Sequence, residues 1–277
     1  MIKVLVVQNN PIINNKKINF NNVDILLERY KGKSIDLIVF PEVWANGWVC
    51  SKFEEGAENI NDSETLRYLQ NVAMDFGSVV IGGSFIQKFD NFYKNTCPVI
   101  SSNGKLICTY DKMHLFSHKG CEEDKYIEAG SNLKILDLGF TKIGLSICYD
   151  IRFPELYRRY SSLGVEVFVN VAAWSNTKPE HWDIMHKARA IENQCFMIVA
   201  NQTGKIDANE CNLGHSMVIN PWGQVVEELA CEESCLYTEI NVEEVRRLRK
   251  EFPLLRDRRD KEFSSFDFEE IIAYARN

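Results

Sequence analysis

The chain has 277 residues, 45% of them hydrophobic and 26% charged, a balance that excludes an intrinsically disordered protein. Acids outnumber bases 39 to 32, a net charge of −7, which argues against nucleic acid or anionic membrane as a general partner. The longest unbroken apolar run, Cys195–Ala200, is six residues, far short of the ~20 that a membrane-spanning helix needs. The first residues, Met1–Gln8 and then Asn9-Asn10-Pro11, hold no secretory apolar core, so a cytoplasmic protein is expected. Nine cysteines include no CxxC pair, and HExxH is absent. Neither a disulfide framework nor a zinc site is expected, and no cofactor is called for. Between Arg246 and Lys261 eight bases are interleaved with Glu251, Asp257 and Asp260, which reads as a solvated helix and tail.

In chain order, strand-like runs fall at 3–8, 36–40, 78–86, 97–101, 106–110, 134–138, 142–148, 165–171, 196–201, 216–220, 224–229 and 236–240. Asn103-Gly104 marks a hairpin and Pro221-Trp222-Gly223 a tight connection. Helices are expected at 63–76, with Leu66, Leu69, Ala73 and Phe76 on one face and Gly77 as its stop, and at 154–163 behind Pro154. A third, 181–194, is expected to bury Ile184, Ala188, Ile191 and Cys195 and to expose an Asp183–Lys187 pair. Asn241 and Glu244 read as a capping box before Val245 and Leu248. With no repeat or linker, residues 1–277 read as one α/β domain, and about twelve strands suggest two stacked sheets.

Three polar residues share one context, because each follows a buried strand: Glu42 after 36–40, Lys112 after 106–110 and Cys148 after 142–147. Ligands of α/β sheets collect at the carboxyl ends of strands, so a base, a cation and a nucleophile could converge there. Taken singly, each is more often a turn acid, a solvated lysine or a core cysteine.

The motifs Val39-Phe40-Pro41-Glu42, Tyr110-Asp111-Lys112-Met113-His114-Leu115-Phe116 and Gly144-Leu145-Ser146-Ile147-Cys148-Tyr149-Asp150-Ile151-Arg152-Phe153-Pro154-Glu155 resemble the signatures of the carbon–nitrogen hydrolase (nitrilase) superfamily. The resemblance continues through Ala188–Gln194, Gly214–Gly223 and the Arg246–Arg259 tail. It implies a four-layer α-β-β-α sandwich of two stacked mixed sheets. It also implies that Cys148 attacks an amide carbon to form a thioester, that Glu42 relays protons, and that Lys112 with the backbone N–H of Tyr149 holds the oxyanion. A second glutamate precedes a glycine by seven residues in that family. Counting from Gly130 gives Glu123, with Glu122 its neighbour and rival.

Cys148-Tyr149-Asp150-Ile151-Arg152-Phe153, Phe116, His181-Trp182 and Asn220-Pro221-Trp222-Gly223 look most like omega-amidases, which hydrolyse 2-oxoglutaramate and 2-oxosuccinamate. Arg152 then matches the position that meets the substrate carboxylate, and Trp174 would wall the pocket. An N-carbamoyl amidohydrolase with the same Glu–Lys–Cys site is the alternative. A Cys–His hydrolase built on one of the five histidines and a catalytically silent binding protein are weaker readings. The family also implies a homodimer or higher homo-oligomer, with Pro154–Leu163 and the tail from about residue 251 at the interface.

Overall fold

The computed structural model describes residues 1–118, 121–206 and 210–259. In the strand Ile2–Gln8, Val4 and Val6 face one side, Leu5 and Val7 the other, and all four are fully buried. A strand covered on both faces lies inside a layered fold. It pairs in parallel with Leu37–Val39, which pairs in parallel with Val79–Ile81. Ser234–Ile240 closes one side of this sheet; Tyr93–Ile100, flanked by Phe85–Lys88 and Leu106–Asp111, closes the other. In the second sheet Lys142–Ile147, Val167–Ala172 and Phe196–Asn201 run parallel. Antiparallel Ile135–Asp137 lies at one edge, Met217–Ile219 and Val225–Glu228 at the other.

The sheets face each other. Val4, Val6, Leu37, Val39 and Val99 of the first pack with Ile143, Leu145, Val167, Val169 and Ile198 of the second. Each fully buried aliphatic side chain contributes about 1.5–3 kcal/mol, so this layer is the main adhesive of the fold. The outer face of the first sheet is covered by helices Lys16–Glu28 and Glu64–Phe76. Pro154–Ser162 and Pro179–Asn193 cover the outer face of the second. The order is helix, sheet, sheet, helix, as the family resemblance implied.

Local signals operate where expected. Ser63 accepts a hydrogen bond from Leu66 N at 2.9 Å, and Gly77 ends that helix at φ +61°. The Asn103-Gly104 turn joins Tyr93–Ile100 to Leu106–Asp111, with Ser101 N donating to Lys105 O.

Several elements differ from the sequence reading. The expected strand 78–86 breaks at Gly82-Gly83; Gly83 has φ +64°, and a Cβ there would lie 1.9 Å from the Pro41 carbonyl oxygen. Helix Lys16–Glu28 escaped the periodicity because Asn19 sits on its buried face, bonded to Ile12 and to Ala45 O. Helix Pro179–Asn193 departs in part from expectation: Cys195 beyond its end is buried and Ala188 half-buried, but the two isoleucines face outward. Ile184 is 63% and Ile191 49% exposed, whereas Trp182, His186, Arg189, Ala190 and Asn193 are buried. The polar members of that face are satisfied: His186 Nδ1 lies 2.7 Å from Trp182 O, and Arg189 Nε donates to Ile151 O at 3.1 Å. The Asp183–Lys187 pair does form, at 2.5 Å. Asn241 caps Glu243 N at 3.2 Å, without the reciprocal Glu244 bond of a capping box. Of the tail from residue 251, residues 260–277 lie outside the described residues. No described helix is long and apolar enough to cross a membrane.

His186 supplies a test of this packing. Burial, with help from Arg189, pushes its pKa from 6.5 down to about 4. The unfolded chain therefore binds a proton near pH 6.5 that the folded chain refuses until about pH 4. The associated stability is complete above pH 6.5 and is lost as pH falls toward 4, by about 3 kcal/mol. Thermal melts of wild type and His186→Gln across that window should show a flatter pH dependence in the variant.

Candidate active site

The parallel strands Leu37–Val39, Lys142–Ile147 and Val167–Ala172 end at one edge of the sandwich. Leu106–Asp111, antiparallel to Tyr93–Ile100, points the same way. Glu42, Cys148, Trp174 and Lys112 follow these four strands. Glu42 ties the two sheets together: its N–H donates to Ala172 O at 3.4 Å, and its Oε2 accepts from Ala173 N at 2.9 Å. The chain leaves two of these strands through strained turns. Val43 has φ +42° and Cys148 φ +45°, a region that L side chains enter at a cost of order 1–3 kcal/mol and that clusters at functional sites.

Lys112, Glu42 and Glu123 are all fully buried, with Lys112 Nζ 2.8 Å from Glu42 Oε1 and 2.9 Å from the Glu123 carboxylate. Glu42 Oε1 also accepts from Asn95 Nδ2 at 2.8 Å. Glu123 accepts from Trp48 Nε1 at 3.1 Å and from Phe116 N at 2.7 Å. The lysine backbone is pinned on both sides: its N–H donates to Asn95 O and its carbonyl accepts from Gly130 N. Gly130 permits that approach, since a Cβ there would meet Asp111 O at 2.3 Å. It lies in an irregular connection rather than opening a strand.

Electrostatics follow from this arrangement. Burial alone would lower the Lys112 pKa, but Glu123 and then Glu42 outweigh it and hold the ammonium well above its usual range. Burial also raises the Glu123 carboxyl, opposed by Lys112 and reinforced by Glu42. One ammonium between two carboxylates leaves the cluster with an excess negative charge. Burial first, then Glu42, push the Cys148 thiol well up, and Lys112 only partly offsets them. The resting cysteine is a thiol.

The structure puts Glu123 beside Lys112, while Glu122 pairs with exposed Lys125 at 2.9 Å. A second network locks the lysine segment to the cysteine turn. Buried Asp150 accepts from Tyr110 Oη, Ile147 N and His114 N, and lies 2.7 Å from His114 Nδ1. The His114 ring stacks on Phe153 at 3.7 Å.

Cys148 opens into a pocket of about 750 Å³ lined also by Trp48, Phe116, Tyr149, Arg152, Trp174 and Lys178. The Arg152 guanidinium lies over the rings of Trp174 at 4.7 Å and Tyr149 at 5.6 Å. Its Nη1 is 3.2 Å from His181 Nδ1. It makes no ion pair with a carboxylate among the described residues. Buried Trp174 donates Nε1–H to Lys178 O at 3.2 Å and packs against Trp182.

Phe116, singled out as a motif residue, gives its N–H to Glu123, whereas Asn95, Trp48 and Gln202, whose Nε2 donates to Glu42 O, also shape the site and escaped the sequence reading. Asn95 carried one available signal, an amide inside the apolar strand Tyr93–Ile100. The others carried none.

The profile of the carbon-nitrogen hydrolase family matches residues 3–250. The omega-amidase NIT2 of Danio rerio is 31% identical over 252 residues, 89% of this chain and 91% of that protein. The 2-oxoglutaramate amidase of Bacillus subtilis is 34% identical over 239 residues, 86% of this chain and 90% of that protein. The crystal structure of Saccharomyces cerevisiae Nit3, of branch 10 of the nitrilase superfamily, superposes with TM-score 0.85 at 27% identity. That superposition covers 93% of this chain and 96% of Nit3. With its sandwich, its strand-end Glu42, Lys112 and Cys148, and these relatives, the chain belongs to the carbon-nitrogen hydrolase family.

Proposed function

We propose that the protein is an omega-amidase, hydrolysing the terminal amide of a small dicarboxylate monoamide such as 2-oxoglutaramate or 2-oxosuccinamate to the carboxylate and ammonia. The observation that carries the substrate class is Arg152, a guanidinium inside the pocket of the nucleophile that forms no ion pair among the described residues, although Glu122 and Glu210 also line that pocket. A substrate carboxylate distant from the amide supplies that partner, in the bidentate geometry guanidinium favours. Trp174 and Tyr149 hold the guanidinium plane, and Trp174 also walls the pocket. The names of the relatives from Danio rerio and Bacillus subtilis support the same substrates.

Cys148 is the nucleophile. Because its thiol is protonated at rest, the proton must leave as sulfur attacks. Glu42 Oε1 is engaged by two donors, Lys112 and Asn95, whereas Oε2 accepts only the Ala173 N–H in the hydrogen bonds described. Oε2 therefore takes the thiol proton and passes it to the leaving nitrogen. Ammonia departs, the thioester remains, and Glu42 then draws a proton from the attacking water. Lys112 and the Tyr149 backbone N–H stabilise the oxyanion, commonly worth about 2.7–4 kcal/mol per donor. Glu123 orients Lys112 and holds its charge.

A homodimer or higher homo-oligomer is part of this reading. Ile184, Ile191 and Trp222 are 63%, 49% and 60% exposed on one outer side of the second sheet, an apolar surface of the kind that interfaces cover. The expected contribution of residues 260–277 lies outside the described residues. A cytoplasmic location is likewise proposed, supported by eight free cysteines among the described residues.

Ammonia release from 2-oxoglutaramate, succinamate, glutamine, an N-carbamoyl amino acid and an aliphatic nitrile should rank 2-oxoglutaramate first, and Cys148→Ala should release none. An N-carbamoyl compound in first place would keep the chemistry and overturn the substrate. Arg152→Ala should raise KM for 2-oxoglutaramate by about 10- to 100-fold, the worth of a charge-assisted contact. Turnover of a neutral aliphatic amide should change little. Sedimentation should show a dimer or larger species, and Ile191→Glu should shift it toward monomer.

A further inference from the structure

We propose that Asn95 is a positioning residue of this site: its side-chain amide aims Glu42 at the thiol while its backbone fixes Lys112 against the same carboxylate. This rests on the catalytic reading above and extends it to a residue outside the Glu–Lys–Cys set.

Asn95 is fully buried in the strand Tyr93–Ile100. Its Nδ2 donates to Glu42 Oε1 at 2.8 Å, and its carbonyl accepts the Lys112 N–H at 2.9 Å. One residue thus holds the base by its side chain and the cation by its main chain, which sets where Lys112 Nζ meets Glu42 Oε1. The amide orientation is forced, because turning Oδ1 toward the carboxylate would oppose two acceptors. In that orientation Oδ1 is buried with no hydrogen-bond partner. Buried amides rarely leave an acceptor orphaned, and an apolar side chain of similar shape would avoid the cost. The strand gains nothing structural from this orphan, whereas the carboxylate gains a fixed donor. With Oε1 held by Asn95 and Lys112, Oε2 is the oxygen left to handle the proton.

The charged and titratable groups facing Glu42 are Lys112, Glu123 and Cys148. Besides Cys148, the ends of the second sheet's strands bring two neutral donors among the described residues, the Ala173 N–H and Gln202 Nε2, the latter to the Glu42 carbonyl. Removing the Asn95 donor therefore leaves the Glu42 carboxyl beside Lys112 but one hydrogen bond poorer.

The test is Asn95→Leu compared with wild type on whichever amide the wild type hydrolyses best, so that a wrong substrate assignment does not disturb it. We expect kcat to fall about 10- to 100-fold through a misaimed base. KM should stay within about twofold, since Asn95 is buried behind the pocket. The acid limb of kcat/KM should move up by about one pH unit, because the ionised carboxylate has lost a donor. Melting temperature should hold or fall modestly, because relief of the orphaned oxygen is offset by the donor that the buried Glu42 carboxylate loses. An unmoved acid limb, a loss carried by KM, or activity that falls only in step with melting temperature would overturn the proposal. Asn95→Asp keeps the shape and guards against misfolding of the leucine variant. It puts a second carboxylate on Glu42 and should move the acid limb up further, with activity recovering at alkaline pH; an unmoved limb again counts against the role. The pH dependence of Cys148 alkylation by iodoacetamide reads the same displacement with no substrate present, and separates failure of this proposal from failure of the amidase reading.

Discussion

Burying a lysine ammonium costs several kcal/mol unless opposite charge and hydrogen bonds meet it. Lys112 is met by Glu42 at 2.8 Å and Glu123 at 2.9 Å, with no exposure of any of the three. Much of the fold is arranged so that this can happen. Glu42 arrives from the end of Leu37–Val39, Lys112 from Leu106–Asp111, and Glu123 from a short turn that follows. Their own hydrogen bonds reach across both sheets, through Ala173 N and Gln202 on one side and Asn95 and Gly130 on the other. Removing the ammonium would leave two buried carboxylates uncompensated, so the cluster is held together by its own electrostatics once the core has closed around it.

The same cluster governs the nucleophile. With excess negative charge beside it and little water to screen it, Cys148 stays a thiol. In the mechanism we propose, reactivity is therefore deferred until a substrate carbonyl is in place and the proton can move to Glu42 as charge develops on oxygen beside Lys112. A free-standing thiolate would react with any electrophile that entered the pocket, so this arrangement couples reactivity to substrate.

In the proposed reading, recognition is separated from that machinery in space. Glu42, Lys112 and Glu123 are fully buried, while Arg152, Tyr149 and Trp174 line the pocket. Asp150 joins the two regions by holding the segment after Lys112 and the turn after Cys148 in one bonded network. Relatives could thus change pocket residues without disturbing the proton relay.

Glu42, Lys112 and Cys148 could be singled out from the chain because each follows an apolar strand within an unbroken motif, and period-two alternation and strand ends are local properties. The helix Pro179–Asn193 shows where local reading fails. Its Ile184 and Ile191 obey an apolar spacing, yet the fold buries His186, Arg189 and Asn193, whose partners Trp182 O and Ile151 O are supplied by the folded backbone. Glu122 and Glu123 are neighbours in one acidic run; counting from Gly130 favoured Glu123, and burial beside Lys112 separates the two in space. The sequence by itself determined the strand order of the motifs, the layered α/β class and the chemical types at the strand ends. Tertiary structure alone decided which carboxylates meet the lysine, which face of a helix is covered, and that Asn95 touches Glu42. Those facts depend on residues up to 160 positions apart, as between Gln202 and Glu42, and on dielectric and hydrogen bonding that exist only when the two sheets have closed.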